Sequence, residues 1–127
     1  FDRLLIEQMG KPVQYAVKSA PILNDAVAED ALSAGLDKVA DIVETGTGIP
    51  GADLKNSTPE FKRLFQSADL IISKGQGNYE MLSENPEPLY FLLKAKCAIL
   101  ARDLQVPSGS FILKKASGEV SSPAGMI

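Results

Sequence analysis

The stretch Val13-Gln-Tyr-Ala-Val-Lys-Ser-Ala-Pro-Ile-Leu-Asn-Asp-Ala-Val-Ala-Glu-Asp30 opens on a short apolar run, breaks at Pro21, and restarts with helical periodicity. Val13 to Val17, bounded by breakers and carrying valine and tyrosine, reads as a buried strand. Asn24 or Asp25 supplies cap chemistry for a helix expected over about residues 25–34. A strand, a tight link and a helix make half of a parallel βα unit, so this stretch predicts an α/β fold. In an open α/β sheet, ligands bind in the crevice beyond the carboxyl ends of the strands. Asn24 and Asp25 fall at that junction.

Working outward, Phe1, Leu4, Leu5 and Met9 share one helical face, and Gly10 and Pro12 end that helix. In the helix after Asp25, Val27, Ala31 and Leu32 are expected inward, with Gly35 as the left-handed residue that closes it. Val39 to Glu44 is the next strand. Gly46-Thr-Gly-Ile-Pro-Gly51 matches G-x-G-x-x-G letter by letter. That fingerprint needs a helix opening at the loop to aim its amides at a pyrophosphate. Here Ala52-Asp-Leu-Lys-Asn-Ser-Thr-Pro59 continues as loop, so a turn-rich connection is the better reading. Thr58-Pro59-Glu60 starts a helix with proline at its first position and Phe61, Leu64, Phe65 and Ala68 on its apolar face. Asp69 to Lys74 is a strand, and Gly75 to Tyr79 a glycine-rich turn into a short helix. Tyr90 to Leu93 fits helix or strand, Cys97 to Ala101 resembles a buried strand, and Ser110 to Leu113 is a final strand. Alternating elements with short links predict a three-layer α/β/α sandwich with a mainly parallel sheet. Residues 1–116 form one domain in this reading, and 117–127 a loosely ordered tail.

The chain has 127 residues, 45% of them hydrophobic, with net charge −3. No basic stripe points to nucleic acid. No apolar run approaches the roughly 18 residues that a membrane span needs. The lone Cys97 cannot form an internal disulfide, which places the expected compartment in the reducing cytoplasm. The absence of histidine removes Ser-His-Asp and Cys-His triads, and any metal held here needs oxygen ligands. Phe1 opens directly on helical periodicity, so the chain is expected to be the C-terminal part of a longer protein.

Three places carry possible chemistry. Asp25 is the leading metal ligand, against the plainer reading that Asn24 or Asp25 only caps its helix. Asp30 lies more than one helical turn beyond Asp25, so it is a support or a surface residue. Lys74-Gly75-Gln76-Gly77-Asn78 runs from a strand end through two glycines, which offers amides and a point charge to an anion. It is not a Walker motif, and a solvated lysine on an ordinary turn explains it as well. Lys94 and Lys96 flank the Cys97 run and can neutralise phosphate or simply reach into solvent. Cys97, among alanine, isoleucine and leucine, reads as an inert thiol.

Taken together, Val17-Lys-Ser-Ala-Pro-Ile-Leu-Asn-Asp25 with Asp30, Asp69-Leu-Ile-Ile-Ser-Lys-Gly-Gln-Gly-Asn-Tyr79 and Leu92-Leu-Lys-Ala-Lys-Cys97 resemble the metal-dependent damage-control phosphatases. These were long filed as a domain of unknown function and include a protein first described as an acidic-residue methyltransferase. The resemblance runs from Phe1 to about Lys115. It implies a three-layer α/β fold and hydrolysis of small phosphorylated metabolites, phosphosugars or phosphocofactors, with Mg, Mn, Co or Ni. It also implies that Asp25 is a metal ligand and catalytic residue, with Asn24 and Asp30 around it. Lys74 is then catalytic, and Lys74, Gly75, Gly77, Asn78 and Lys96 hold substrate phosphate. The family's Asp-Asn ligand pair is not among these residues and is expected in a preceding N-terminal portion. The family's Arg-Thr-x-Lys motif reads Leu93-Lys94-Ala95-Lys96, matching only at Lys96. The competing readings are a non-catalytic anion- or nucleotide-binding module and, last, a carboxyl methyltransferase, for which only Gly46 to Gly51 offers a cofactor loop.

Overall fold

The structure, a computed structural model, describes residues 1–85, 88–116 and 120–121. The chain divides into two compact units, Phe1–Leu64 and Phe65–Ile127. The fold is α/β, with parallel strand pairs in both units.

In the first unit, helix α1 spans Asp2–Met9 and stops at left-handed Gly10. Strand β1, Gln14–Val17, pairs in parallel with β2, Asp41–Glu44, in the register Gln14 to Asp41 and Val17 to Glu44. Between them run helix α2, Ala28–Ser33, and a single 3-10 turn at Leu36–Lys38. Gly35 follows α2 at φ 71°, the left-handed closure that the sequence predicts. Ile6, Val17, Ala31 and Leu36 form the core, with Tyr15, Val39 and Ile42 packed against it. The inward face of α1 is therefore carried by Ile6. Phe1, Leu4 and Leu5, expected inward, are exposed, as is Leu32 on α2. Such short amphipathic segments carry too few apolar residues to fix which face turns inward. Tyr15 Oη donates to Asp2 Oδ2 at 2.6 Å and ties α1 to β1. Burial first, then the hydrogen bond and charge of Asp2, holds the Tyr15 phenol well above its ordinary range.

Helix α3, Pro59–Ser67, begins as expected, with Thr58 Oγ1 accepting the Phe61 N–H at 3.2 Å. In the second unit β3, Ile71–Lys74, runs parallel to β4, Leu89–Lys94. Strand β5, Phe111–Lys115, pairs antiparallel to β4, and the short β6, Val120–Ser121, extends that edge. The four-stranded sheet is thus mixed. Helix α4, Gln76–Leu82, and helix α5, Ala98–Asp103, complete the unit. Tyr79 of α4 meets Phe91 edge to face at 4.9 Å between ring centres, seating that helix on the sheet.

One open sequence reading is settled here and one expectation reverses. Tyr90 to Leu93 is strand, because β4 is held on both sides and its side chains alternate between buried and less buried. Cys97 to Ala101 is helix, with Cys97 Sγ accepting the Leu100 N–H at 3.4 Å as the cap of α5. Short apolar runs do not distinguish the two states, and neighbouring strands decide them. The tail expected over 117–127 lies outside the described residues apart from the backbone of β6.

Candidate functional site

In the first unit the ladder continues past the strands. Lys18 N–H donates to the Ala26 carbonyl at 3.0 Å, Ser19 N–H to Thr47 at 2.9 Å, and Thr45 N–H to Val17 at 3.0 Å. The segment after β1 is therefore sewn to the connection after β2. Gly46 N–H donates to Ser19 Oγ at 2.7 Å, and Gly46 itself stands at φ 86°. A Cβ there would run into Thr58 Cγ2, so the glycine serves close packing, not a pyrophosphate.

The loop from Ala20 to Val27 then projects. It turns through Leu23, held at φ 49° and almost fully exposed, with Asp25 N–H closing on the Ile22 carbonyl at 3.0 Å. A left-handed non-glycine residue costs about 1–3 kcal/mol and is a mark of functional loops. An open hollow of about 500 Å³ lies against Pro21, Leu23, Asn24, Asp25, Val27 and Asp30.

Helix α2 begins at Ala28, later than the sequence suggests. Its cap is closed by Asp30, whose Oδ2 accepts the Val27 N–H at 3.0 Å. Asp30 is thus a capping residue at the hollow's edge. Among the described residues Asp25 caps no helix, and it lies exposed in the loop. Asn24 sits beside it, also exposed.

Lys18 is the residue that sequence reasoning passed over. It is only 9% exposed, and its Nζ donates to the carbonyl of Gly51. Burial lowers its pKa, while the charges of Asp25 and Asp53 work in the opposite direction. Asp53 is itself buried, fastened by Asn56 through its backbone N–H at 3.3 Å and its side-chain amide at 2.6 Å. A buried ammonium retaining two further N–H donors, beside an exposed carboxylate, is an arrangement for gripping an oxyanion next to a cation. Its place in the Lys-x-x-Pro-x-x-x-Asp spacing was visible, but nothing in the sequence announced its burial.

Among the described residues, no three Asp, Glu, Cys or His side chains converge on a metal position. Asp25 fits a divalent ion as one hard oxygen donor, with the Asn24 amide oxygen as a neighbour of the same type.

In the second unit, Lys74 ends β3 and is exposed. Gly75 stands at φ 91° and helix α4 opens at once on Gln76. Gly77 and Asn78 are consequently in the first helical turn and not in a loop. The Asn78 side-chain amide donates to the Lys74 carbonyl at 2.9 Å, bracing the strand end. Gln76 Nε2 reaches both Glu80 Oε1 at 2.9 Å and Cys97 Sγ at 3.5 Å. The connection carrying Lys96, which is exposed, is thereby tied to the start of α4. The structure thus groups Asn24, Asp25 and Asp30 with Lys18 in the first unit. It groups Lys74, Gly75, Gly77 and Asn78, with Lys96 nearby, in the second.

A family model described as the damage-control phosphatase ARMT1-like domain matches residues 1–112. A damage-control phosphatase of Pyrococcus horikoshii is 48% identical over 117 residues, covering 88% of this chain and 41% of its own length. A damage-control phosphatase of Archaeoglobus fulgidus is 38% identical over 119 residues, 90% of this chain and 41% of that protein. An uncharacterised protein of Methanocaldococcus jannaschii is 44% identical over 122 residues, with 91% and 40% covered. The crystal structure of a DUF89 family protein from Pyrococcus horikoshii superposes with a TM-score of 0.85 at 45% identity, covering 91% of this chain and 42% of that one. The chain spans about two-fifths of the length of these relatives. No helix among the described residues is long and apolar enough to cross a membrane.

Proposed function

Because the chain belongs to the damage-control phosphatase ARMT1-like domain family, we propose that the protein carrying it is a metal-dependent phosphatase of small phosphorylated metabolites, phosphosugars or phosphocofactors. The observation that carries this reading is an exposed Asp25, in the loop ahead of α2, whose charge acts on the buried ammonium of Lys18. Asp25 is one ligand of a divalent ion, Mg, Mn, Co or Ni, with further ligands expected outside these residues. Such an ion, when bound, supplies a Lewis acid that polarises a phosphoryl oxygen and acidifies water.

The remaining work falls to the chain's own groups. Lys18 Nζ, fixed by the Gly51 carbonyl, presents its other N–H bonds to an anionic oxygen. Asp30 and the Ile22–Asp25 turn hold the loop that carries Asp25. In the second unit, Lys74 and Lys96 offer positive charge to phosphate, and the Gly77 and Asn78 backbone offers amides in the first turn of α4, whereas the Gly75 N–H is taken by the Leu92 carbonyl at 3.0 Å and only shapes the turn. The expected location is the cytoplasm.

Phosphate release by the full-length protein, screened over phosphosugars and phosphocofactors with each metal, tests the proposal. Turnover should require a metal and vanish in Asp25→Asn with the fold intact by circular dichroism. Equal turnover in wild type and Asp25→Asn would remove Asp25 from the reaction. Saturable phosphate binding without release under any metal would make the protein a binding module.

A further inference from the structure

The loop between β1 and α2 turns over residues Ile22, Leu23, Asn24 and Asp25, closed by the Asp25 N–H on the Ile22 carbonyl at 3.0 Å. Leu23, second in that turn, stands at φ 49°. Turns with positive φ at this position are normally filled by glycine, asparagine or aspartate, which adopt it at little cost. Leucine there carries strain that asparagine would relieve. Gln105 is the other non-glycine residue at positive φ among the described residues. It follows α5, and its left-handed turn closes that helix, with the Val106 N–H donating to the Ala101 carbonyl at 2.9 Å. Leu23 has no such duty, because it closes no helix and α2 begins only at Ala28.

Burial does not account for the leucine either, since Leu23 is 87% exposed. An exposed leucine is ordinary in itself. An exposed leucine kept at a strained turn points to a use for the side chain. Leu23 borders the same open hollow as Asp25, where Pro21, Ala26 and Val27 add further apolar atoms. One short loop thus sets a carboxylate and an apolar wall around one space, the mixture that small-molecule sites use to fix orientation and specificity.

We propose that Leu23 is a specificity-determining residue, whose side chain packs on apolar carbon of the group esterified to the phosphate. The site then favours leaving groups with alkyl or aromatic carbon close to the ester over polyhydroxylated ones. The inference rests on the reading of Asp25 as a ligand of the phosphate-binding ion and narrows the substrate class of that site.

The test uses the full-length protein with Mg²⁺ and two phosphonates, methylphosphonate and n-hexylphosphonate, which share a head group and are not phosphatase substrates. Isothermal titration should show n-hexylphosphonate bound at least about tenfold more tightly. Leu23→Asn should lower that ratio at least about fivefold, through the hexyl compound alone, and Leu23→Met should preserve it. Without metal, Leu23→Asn should unfold at a temperature no lower than wild type, because the turn is relieved of strain. A wild-type ratio near one, or a ratio untouched by Leu23→Asn, would overturn the proposal. So would a lowered Tm for Leu23→Asn, which would make Leu23 a packing residue for polypeptide outside these 127 residues. Phosphonate selectivity that depends on Leu23, without phosphate release from any ester, would support the role of Leu23 and sink only the phosphatase reading. Binding of neither phosphonate would overturn both.

Discussion

Two alanine substitutions at left-handed glycines separate backbone strain from steric exclusion. Gly10 stands at φ 59° with nothing within 4 Å of an added Cβ. Gly46 stands at φ 86°, where an added Cβ collides with Thr58 Cγ2 and lies 3.0 Å from Thr58 N. Both substitutions incur the left-handed penalty of about 1–2 kcal/mol, and both narrow the unfolded chain equally. Gly46→Ala adds overpacking of about 1–3 kcal/mol. Thr58 cannot yield cheaply, because its hydroxyl caps α3 and its N–H donates to the Thr45 carbonyl at 3.0 Å. Gly46→Ala should therefore lie about 2 kcal/mol below Gly10→Ala, or very roughly 8–16 °C in Tm for a unit of this size. Urea titration followed by circular dichroism, with matched slopes, measures the difference. Thr58→Ser keeps the capping oxygen and deletes Cγ2, so added to Gly46→Ala it should recover about 1 kcal/mol. Equal stability of the two glycine variants, or no recovery with Thr58→Ser, would refute the steric account.

Asp30→Ala should destabilise α2 by about 1 kcal/mol in urea unfolding, whereas Asp25→Ala, which removes no cap, should change stability by less than about 0.5 kcal/mol. The Tyr15 phenol has its pKa raised by folding, so its contribution is full below the unfolded pKa near 10.0 and is lost as pH rises above it. Alkaline unfolding of Tyr15→Phe should accordingly lack that component of the pH dependence. Lys18 has its pKa lowered by folding, so the unfolded chain binds more protons in the interval below 10.5. The stability of wild type relative to Lys18→Met should then rise with pH through that interval and level off above it, as read by urea titration at successive pH values. Ser73 Oγ is buried without a hydrogen-bond partner among the described residues, so Ser73→Ala should be neutral or stabilising by up to about 1 kcal/mol in thermal unfolding.

What the sequence determined by itself was local and strongly punctuated. Val13 to Val17 as a strand, Thr58-Pro59 as a helix start, Gly10 and Gly35 as helix stops, and Lys74 at a strand end all follow from backbone chemistry within a few residues. The Lys-x-x-Pro-x-x-x-Asp and Lys-Gly-x-x-Asn-Tyr spacings likewise sufficed for the family. The tertiary structure decided what depends on neighbours far along the chain. Tyr90 to Leu93 became strand because β3 and β5 supply its hydrogen bonds, and Cys97 to Ala101 was left to coil into a helix. Asp30 took the cap because the Lys18 N–H to Ala26 carbonyl bond keeps the preceding residues extended, which delays α2 to Ala28 and leaves Asp25 in the loop. Lys18 became a buried cation only because the Gly51 and Asp53 connection folds back over it. Charge, burial and desolvation are properties of such an enclosure, and no single stretch of sequence contains one.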